Sequence, residues 1–180
     1  MEAIFNYDLG EPECYLVAER IAALLPVTVA WEPVSWPPSA ETALDRGEIE
    51  RVARDRGLQP VRWPERWPPN SRLAMLAATY AKHIGRVTAF SLAAFRQAFA
   101  GGRDLADADT LLIAAAACEM HPAALLKGIG MNSVERSLER ATADARAAGA
   151  TRVPAIRVGE HVFEGDRGVE EAAAALSAVR

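Results

Sequence analysis

The hydrophobic positions of this chain change their spacing twice, from strand-like to helical and back again. Ala3–Tyr7 is a short apolar run that predicts a buried strand. Gly10 and Pro12 interrupt this run, and the apolar side chains that follow recur at helical spacing until Pro26. Residues 27–31 predict a second strand. Because two strands flank one helix with short connections, we expect a right-handed βαβ unit with parallel strands.

The middle of the chain has a helical pattern interrupted by one proline-rich segment. A charged helix is predicted to begin at Ser39 or Glu41 and to end at Gly57. Residues 58–69 contain four prolines and two tryptophans, a density that excludes a regular helix. We expect Trp63 and Trp67 to cover a core or the rim of a cleft. Glycines and capping residues then delimit five further helices, over residues 70–84, 88–100, 107–119, 122–127 and 133–148.

The last part of the chain returns to strand spacing. Val153–Val158 predicts a strand, and Gly159–Glu160 suits the two-residue turn of a β-hairpin. Residues 161–163 predict the returning strand, and residues 169–179 predict a closing helix. The whole order is therefore βαβ, a helical block, and ββα.

Composition limits the classes of function. The chain has 180 residues, 51% of them hydrophobic, and a net charge of −4, so it is globular and shows no electrostatic signature of nucleic-acid binding. No cationic segment precedes a long apolar run, and no uncharged apolar stretch is long enough to span a membrane. The two cysteines are far apart, which favours a reducing cytoplasm over a disulfide framework. The three histidines are isolated, and we expect no metal site.

Four segments together carry a resemblance to a known family. They are residues 6–8 with 11–16, Pro69-Asn70-Ser71, Val153-Pro154 and residues 162–166. With these four segments in this order, the chain resembles the DsbA family. It resembles more closely the branch that contains 2-hydroxychromene-2-carboxylate isomerase and the kappa-class glutathione transferases. The resemblance implies an α/β thioredoxin fold with an all-helical insertion. Residues 1–34 and 150–180 would form the thioredoxin-like domain, and residues 35–149 would form the insertion.

The start of the first helix is where this fold holds a reactive thiol. Unpaired backbone N–H groups at a helix start stabilise a thiolate. Redox members of the family carry Cys-Pro-x-Cys there, whereas this chain has Glu11-Pro12-Glu13-Cys14. A dithiol cycle needs two sulfurs, so ordinary disulfide exchange is not expected. The isomerase branch has a serine in place of Glu11. We expect Glu11 to take the proton of a bound thiol or to hydrogen-bond a different ligand.

The resemblance also implies a binding site for glutathione or another low-molecular-weight thiol. Pro154 takes the position of the family's cis-proline, and the backbone of Val153 would pair with glutathione or with an extended peptide. Asp166 would bind the amino group of the γ-glutamyl end. The other predicted binding residues are Asn70 and Tyr7.

The predicted function is a glutathione-dependent isomerase acting on a small aromatic or enone carboxylate, with Glu11 and Cys14 as the candidate catalytic residues. A homodimer is a further expectation from the family. One alternative is a catalytically silent module that holds a peptide at Val153, and another is a single-cysteine oxidoreductase that uses Cys14. The same residues also have purely structural interpretations: a helix-start carboxylate for Glu11, a small buried hydrophobe for Cys14, a helix cap for Asn70, and a loop residue for Asp166.

Overall fold

The computed structural model describes residues 2–38 and 45–178 of the chain. Within these residues four strands form one sheet in the order β2-β1-β3-β4. Strand β1 is parallel to β2 and antiparallel to β3, and β3 and β4 form an antiparallel hairpin. The parallel β1–β2 pair and the two-residue turn at Gly159–Glu160 confirm two predictions from the sequence. The strands are β1 Ala3–Tyr7, β2 Val29–Pro33, β3 Ala155–Val158 and β4 His161–Glu164.

Helices connect and cover this sheet. None of those in the described part of the chain is long and apolar enough to cross a membrane. The order of the helices between β2 and β3 matches the predicted helical block. That residues 35–149 form a separate insertion domain stays a prediction. The helices are α1 Pro12–Ala18, α2 Ile21–Leu24, α3 Arg46–Asp55, α4 Arg72–His83, α5 Val87–Phe99, α6 Ala108–Ala117, α7 Pro122–Ile129, α8 Asn132–Ala147 and α9 Gly168–Ala178.

Two boundaries near the start differ from the prediction. The first helix ends at Ala18, because the backbone at Arg20 leaves helical geometry (φ −131°, ψ −12°) before the short α2. Strand β2 includes Pro33, whereas this proline was predicted to stop a strand formed by residues 27–31. Proline is tolerated there because β2 is the outer strand of the sheet, where one side needs no backbone donor.

The first helix of the middle block begins at Arg46. Its N-cap is Asp45, whose carboxylate accepts a hydrogen bond from the backbone N–H of Glu48 at 3.0 Å. The predicted start at Ser39 or Glu41 lies outside the described residues.

The two faces of the sheet differ in polarity. Phe5 and Tyr7 lie on one face with Trp31, with ring centroids 5.1 Å apart for Phe5–Trp31 and 5.5 Å for Tyr7–Trp31. The alternate residues of β1, Ile4 and Asn6, lie on the opposite face. The aromatic face belongs to the main core, and the opposite face carries polar and charged side chains beneath α4 and α8.

Small residues and aromatic rings fix the packing of the helical block. Helix α7 lies so close to α4 that a Cβ atom added to Gly128 would be 2.3 Å from the ring of Tyr80. Trp63 and Trp67 meet edge to face with ring centroids 5.5 Å apart, and Trp63 packs against Phe99 at 6.3 Å. Both tryptophans therefore cover the core, which is one of the two roles predicted for them.

Candidate active site at the start of helix α1

The turn between β1 and α1 buries Glu11. This residue is the N-cap of α1, with extended backbone angles (φ −100°, ψ 116°), and Pro12 follows at the first helical position. The carbonyl of Glu11 accepts hydrogen bonds from the N–H groups of Cys14 at 3.0 Å and Tyr15 at 3.4 Å. Glu11 is only 5% exposed. A carboxyl group is seldom buried to this extent without a structural or chemical role.

Asp8 is a second buried carboxyl group in the same turn. It is 3% exposed, and it accepts hydrogen bonds from the backbone N–H groups of Gly10 at 2.9 Å and Trp36 at 3.0 Å. Burial raises the pKa of the Asp8 carboxyl group, and hydrogen bonds from Ser71, Trp36 and Gly10 offset only part of that rise. Asp8 is not among the site residues predicted from the sequence. Its position two residues before a glycine is a signal for this kind of turn.

The structure brings Val153 to the same pocket as Glu11. Asp8, Glu11 and Val153 all line it, and the peptide bond between Val153 and Pro154 is cis. The strand begins at Ala155 rather than at Val153. Among the described residues, neither the N–H nor the C=O of Val153 has a hydrogen-bond partner, whereas the carbonyl of Pro154 accepts from the N–H of Gly165 at 2.9 Å.

The pocket at Glu11 is closed. Its volume is about 10 Å³, which is about the space needed for one water molecule. Trp36, Pro37 and Pro38 cover it from the side. The cover is fixed by the Trp36–Asp8 hydrogen bond and by Arg146, whose guanidinium carbon lies 4.9 Å from the centre of the Trp36 ring.

Cys14 lies in the core and does not line this pocket. Its side chain is fully buried. Burial, followed by the negative charge of Glu11, raises the pKa of the Cys14 thiol well above its usual range. A thiol in this environment stays protonated and is a poor nucleophile. This environment agrees with the interpretation of Cys14 as a small buried hydrophobe. The catalytic role of Cys14 stays a prediction, and the burial of its thiol argues against it.

Tyr7 does not reach the candidate site, contrary to its predicted role in binding. The side chain is fully buried, and its hydroxyl group forms a 2.5 Å hydrogen bond with the hydroxyl group of Ser91 on α5. Residues alternate between the two faces of a strand, so the side chain of Tyr7 enters the aromatic core while the next turn carries Asp8 and Glu11. Burial raises the pKa of the Tyr7 hydroxyl group above its usual range.

The carboxylate of Asp166 is already bound by two arginines. Arg56 contacts it with both terminal nitrogens, at 2.7 and 2.5 Å, and Arg20 lies 3.1 Å away. Burial alone would raise the pKa of the Asp166 carboxyl group, but the hydrogen bonds and charges of Arg56 and Arg20 outweigh it and hold the pKa below its usual value. The predicted contact with a ligand amino group would have to displace these arginines.

Asn70 is exposed, precedes the N-cap Ser71 of α4, and does not line the pocket. Its side-chain oxygen accepts a hydrogen bond from the N–H of Arg72 at 3.2 Å at the start of α4. The neighbouring Ser71, which was not predicted, lines the pocket and hydrogen-bonds Asp8. Ser71, rather than Asn70, is therefore the residue of this segment that lines the pocket.

A second cleft is lined by residues of helices α1 and α3 and of the segments on either side of the β3–β4 hairpin. Its volume is about 320 Å³. Charged side chains dominate its wall, and several are already paired, because Arg152 contacts Glu13 and Arg56 contacts Asp166. Arg167 is exposed there and has no ion-pair partner among the described residues. Across residues 2–38 and 45–178, no three His, Cys, Asp or Glu side chains come together to form a metal site.

This fold and the turn before α1 define a thioredoxin-type scaffold. The chain belongs to the family of DSBA-like thioredoxin domains, which it matches over residues 4–177. A search of the curated proteins finds no match to the sequence.

Solved structures share the fold across nearly the whole chain. A 2-hydroxychromene-2-carboxylate isomerase is similar with a TM-score of 0.86 and 16% identity, covering 99% of this chain and 96% of its own. A probable DsbA oxidoreductase from Streptomyces coelicolor has a TM-score of 0.81 and 18% identity, with 99% and 89% covered. The cytosolic disulfide reductase DsbM from Pseudomonas aeruginosa, solved with GSH, has a TM-score of 0.71 and 17% identity, with 99% and 98% covered.

The arrangement around Glu11 does not fit a whole glutathione molecule. The unpaired backbone groups of Val153 suit the backbone of a bound thiol. However, a volume of about 10 Å³ is far below the range of about 300–1,000 Å³ that is typical of ligand pockets. The carboxylate of Asp166 is also occupied by arginines. Glutathione would therefore require both the cover at Trp36 and the arginine contacts of Asp166 to change.

Proposed function

We propose that this chain is a non-redox, isomerase-type member of the family, in which the carboxyl group of Glu11 transfers a proton to or from a small carboxylate substrate. One observation carries the proposal: a buried carboxyl group occupies the position where dithiol members need their outer cysteine. Asp8 supports it as a second buried carboxyl group that lines the same pocket, because burial raises its pKa and such groups suit acid–base chemistry.

The environment of the cysteines argues against a redox function. Cys14 has its pKa raised by burial, and no second cysteine lies in the turn. Cys118 is buried at the end of α6, where its sulfur donates to the carbonyl groups of Ala114 and Ala115 at 3.4 Å. Neither thiol therefore has the exposed, electropositive surroundings of a reactive cysteine.

The predicted use of glutathione or another small thiol is the finer form of this proposal. A bound thiol would supply a nucleophile that adds to an electron-poor double bond and leaves again after rotation. In this chain, Glu11 would take the thiol proton and Val153 would bind the backbone of the thiol. Either form requires the Trp36–Pro38 cover to move away from Glu11, because the closed pocket admits no substrate.

The test is turnover of 2-hydroxychromene-2-carboxylate, the compound in the name of the similar isomerase, with and without glutathione. We expect measurable isomerisation by the unmodified chain and a loss of about 100-fold or more in Glu11→Gln, which keeps the shape but removes the proton-transfer group. Cys118→Ala is the matched control and should keep the activity. Both proteins should be checked for native circular dichroism.

Each outcome separates the candidates. Turnover without glutathione supports direct proton transfer by Glu11, and turnover only with glutathione supports the thiol-assisted form. Activity that survives Glu11→Gln but disappears in Cys14→Ala would refute the proposal and assign the isomerisation to the thiol of Cys14. An absence of turnover in both conditions would favour the silent binding module, in which the unpaired backbone of Val153 holds an extended peptide.

A further inference from the structure

The polar face of the sheet forms the floor of a groove that is separate from the candidate active site. The groove lies between β1, β2 and β3 on one side and α4 and α8 on the other, and its volume is about 250 Å³. It shares no lining residue with the pocket at Glu11. Its walls combine apolar groups, such as Ile4 and Ala145, with several charged side chains.

Asn6 is the most informative residue in this groove. It is 5% exposed and lies on the floor. Its side-chain amide has no hydrogen-bond partner among the residues that the structure describes. The fully buried side-chain polar atoms that lack a partner do not include this amide, so it is open to the groove. It is therefore available to hydrogen-bond a polar group of a molecule bound there.

The charges around Asn6 indicate an anion. Arg157 lies on β3 directly opposite Ile4 of β1, two residues along β1 from Asn6 and on the same face of the sheet. Arg140 lines the groove from α8. Neither guanidinium group has an ion-pair or hydrogen-bond partner in the described part of the chain. Lys82, in contrast, is already paired with Glu32.

The remaining polar groups leave this excess of positive charge in place. His83 shares a 3.2 Å hydrogen bond with Ser137, so its ring is already engaged. Asp144 is an exposed carboxylate on α8 at the edge of the groove. Two free arginines therefore face one free carboxylate, and planar guanidinium groups are well suited to binding a carboxylate through two hydrogen bonds.

We propose that this groove is a binding site for a small organic anion, whose carboxylate is bound by Arg140 and Arg157 and whose polar atoms hydrogen-bond the amide of Asn6. The volume lies just below the range of about 300–1,000 Å³ of ordinary ligand pockets, so the ligand is smaller than a drug-sized molecule. The apolar wall at Ile4, Ala141 and Ala145 favours a ligand with a hydrophobic body. This site does not depend on the function proposed for Glu11.

The test uses benzoate as the probe and isotope-labelled full-length protein observed by NMR. Benzoate has a carboxylate and an apolar ring, and benzamide has the same shape without the charge. We expect saturable shifts of the Asn6 side-chain amide signals with benzoate, and binding of benzamide at least about ten-fold weaker, because a charged hydrogen bond contributes more than a neutral one. Inorganic phosphate is titrated separately to distinguish an organic carboxylate from a simple inorganic anion.

Variants of the arginines complete the test. Arg157→Gln and Arg140→Gln should each weaken benzoate binding by about ten-fold or more, the loss expected for one charged hydrogen bond. Arg136→Gln is the matched control, because Arg136 is also an exposed arginine on α8 but does not line the groove. It should change the affinity by less than about two-fold.

Several results would overturn the proposal. These are no saturation up to about 10 mM benzoate, equal affinity for benzoate and benzamide, or an equal loss of affinity in Arg136→Gln and Arg157→Gln. Tighter binding of phosphate than of benzoate at the same arginines would also reject an organic carboxylate as the ligand. None of these results depends on the activity of Glu11, so a failure here leaves the isomerase proposal standing.

Discussion

The hydrogen bond between Tyr7 and Ser91 gives a quantitative test of the packing between the sheet and α5. Tyr7→Phe removes one hydroxyl group and leaves the rings around it unchanged. Both partners are fully buried, and their oxygens are 2.5 Å apart. The hydroxyl group of Ser91 would lose this partner inside the core, so we expect the free energy of unfolding to fall by about 1–3 kcal/mol. For a chain of this size that corresponds to a decrease in Tm of roughly 2–4 °C for each kcal/mol.

Urea unfolding followed by tryptophan fluorescence measures this change, and a double-mutant cycle isolates the hydrogen bond. Ser91→Ala should also destabilise the protein, because it leaves the buried hydroxyl group of Tyr7 unpaired. The double variant should be less destabilised than the sum of the two single variants, since it removes both ends of the pair. If Tyr7→Phe changes the unfolding free energy by less than about 0.5 kcal/mol, or if the two effects simply add, the buried hydrogen bond is not formed in solution.

Three further predictions follow from other parts of the molecule. Cys14 should react with iodoacetamide far more slowly than a free thiol at neutral pH, and it should become reactive after unfolding. Mass spectrometry measures the extent of labelling, and rapid labelling of the native protein would contradict the burial of Cys14. Asp166→Asn should lower the free energy of unfolding at pH 7. The difference in unfolding free energy from the unmodified protein should shrink below about pH 4, because the pKa of this carboxyl group is lowered in the folded state and its stabilising contribution is lost as it becomes protonated. A difference that is independent of pH in urea unfolding would exclude the pairing with Arg56. Gly128→Ala should lower the unfolding free energy by about 1–3 kcal/mol through overlap with the ring of Tyr80 on α4. Gly130→Ala, whose Cβ would lie 3.6 Å from the carbonyl oxygen of Lys127, should be close to neutral in thermal unfolding.

Local sequence signals predicted the order of the elements well. The apolar run at residues 3–7, the break at Gly10 and the hairpin turn at Gly159 each act within a few residues, and each is found in the structure. The pairing of strands across the sheet followed from general rules on how a βαβ unit and a hairpin connect. The membership of the family, shown by the match over residues 4–177, was recognised from short segments in their order along the chain.

The candidate site was harder to predict from the sequence, because contacts between residues far apart in the chain determine which of its groups are covered or paired. The positions of Glu11 and Val153 follow from the chain order, and the structure brings them to one pocket. The closure of that pocket depends on Trp36, and the state of Asp166 depends on Arg56, which is 110 residues away along the chain. No spacing in the sequence reports such contacts, so the ion pairs of Asp166 with Arg20 and Arg56 could not be predicted. The role of Asp166 in ligand binding stays a prediction.

The contacts of the loop before α9 have a consequence for how this edge of the molecule can move. Arg20 follows α1, Arg56 caps the C-terminal end of α3, and both bind Asp166 just before α9. In addition, Glu13 of α1 accepts a hydrogen bond from the N–H of Asp166 at 3.0 Å. Helices α1, α3 and α9 are thereby joined through one loop residue. A displacement of any one of these helices therefore strains the contacts that join it to the other two. Breathing motions at this edge are consequently collective. Neutralising Asp166 would release α3, whereas the Glu13 contact with the backbone of Asp166 and the Arg20–Glu170 ion pair would still hold α9.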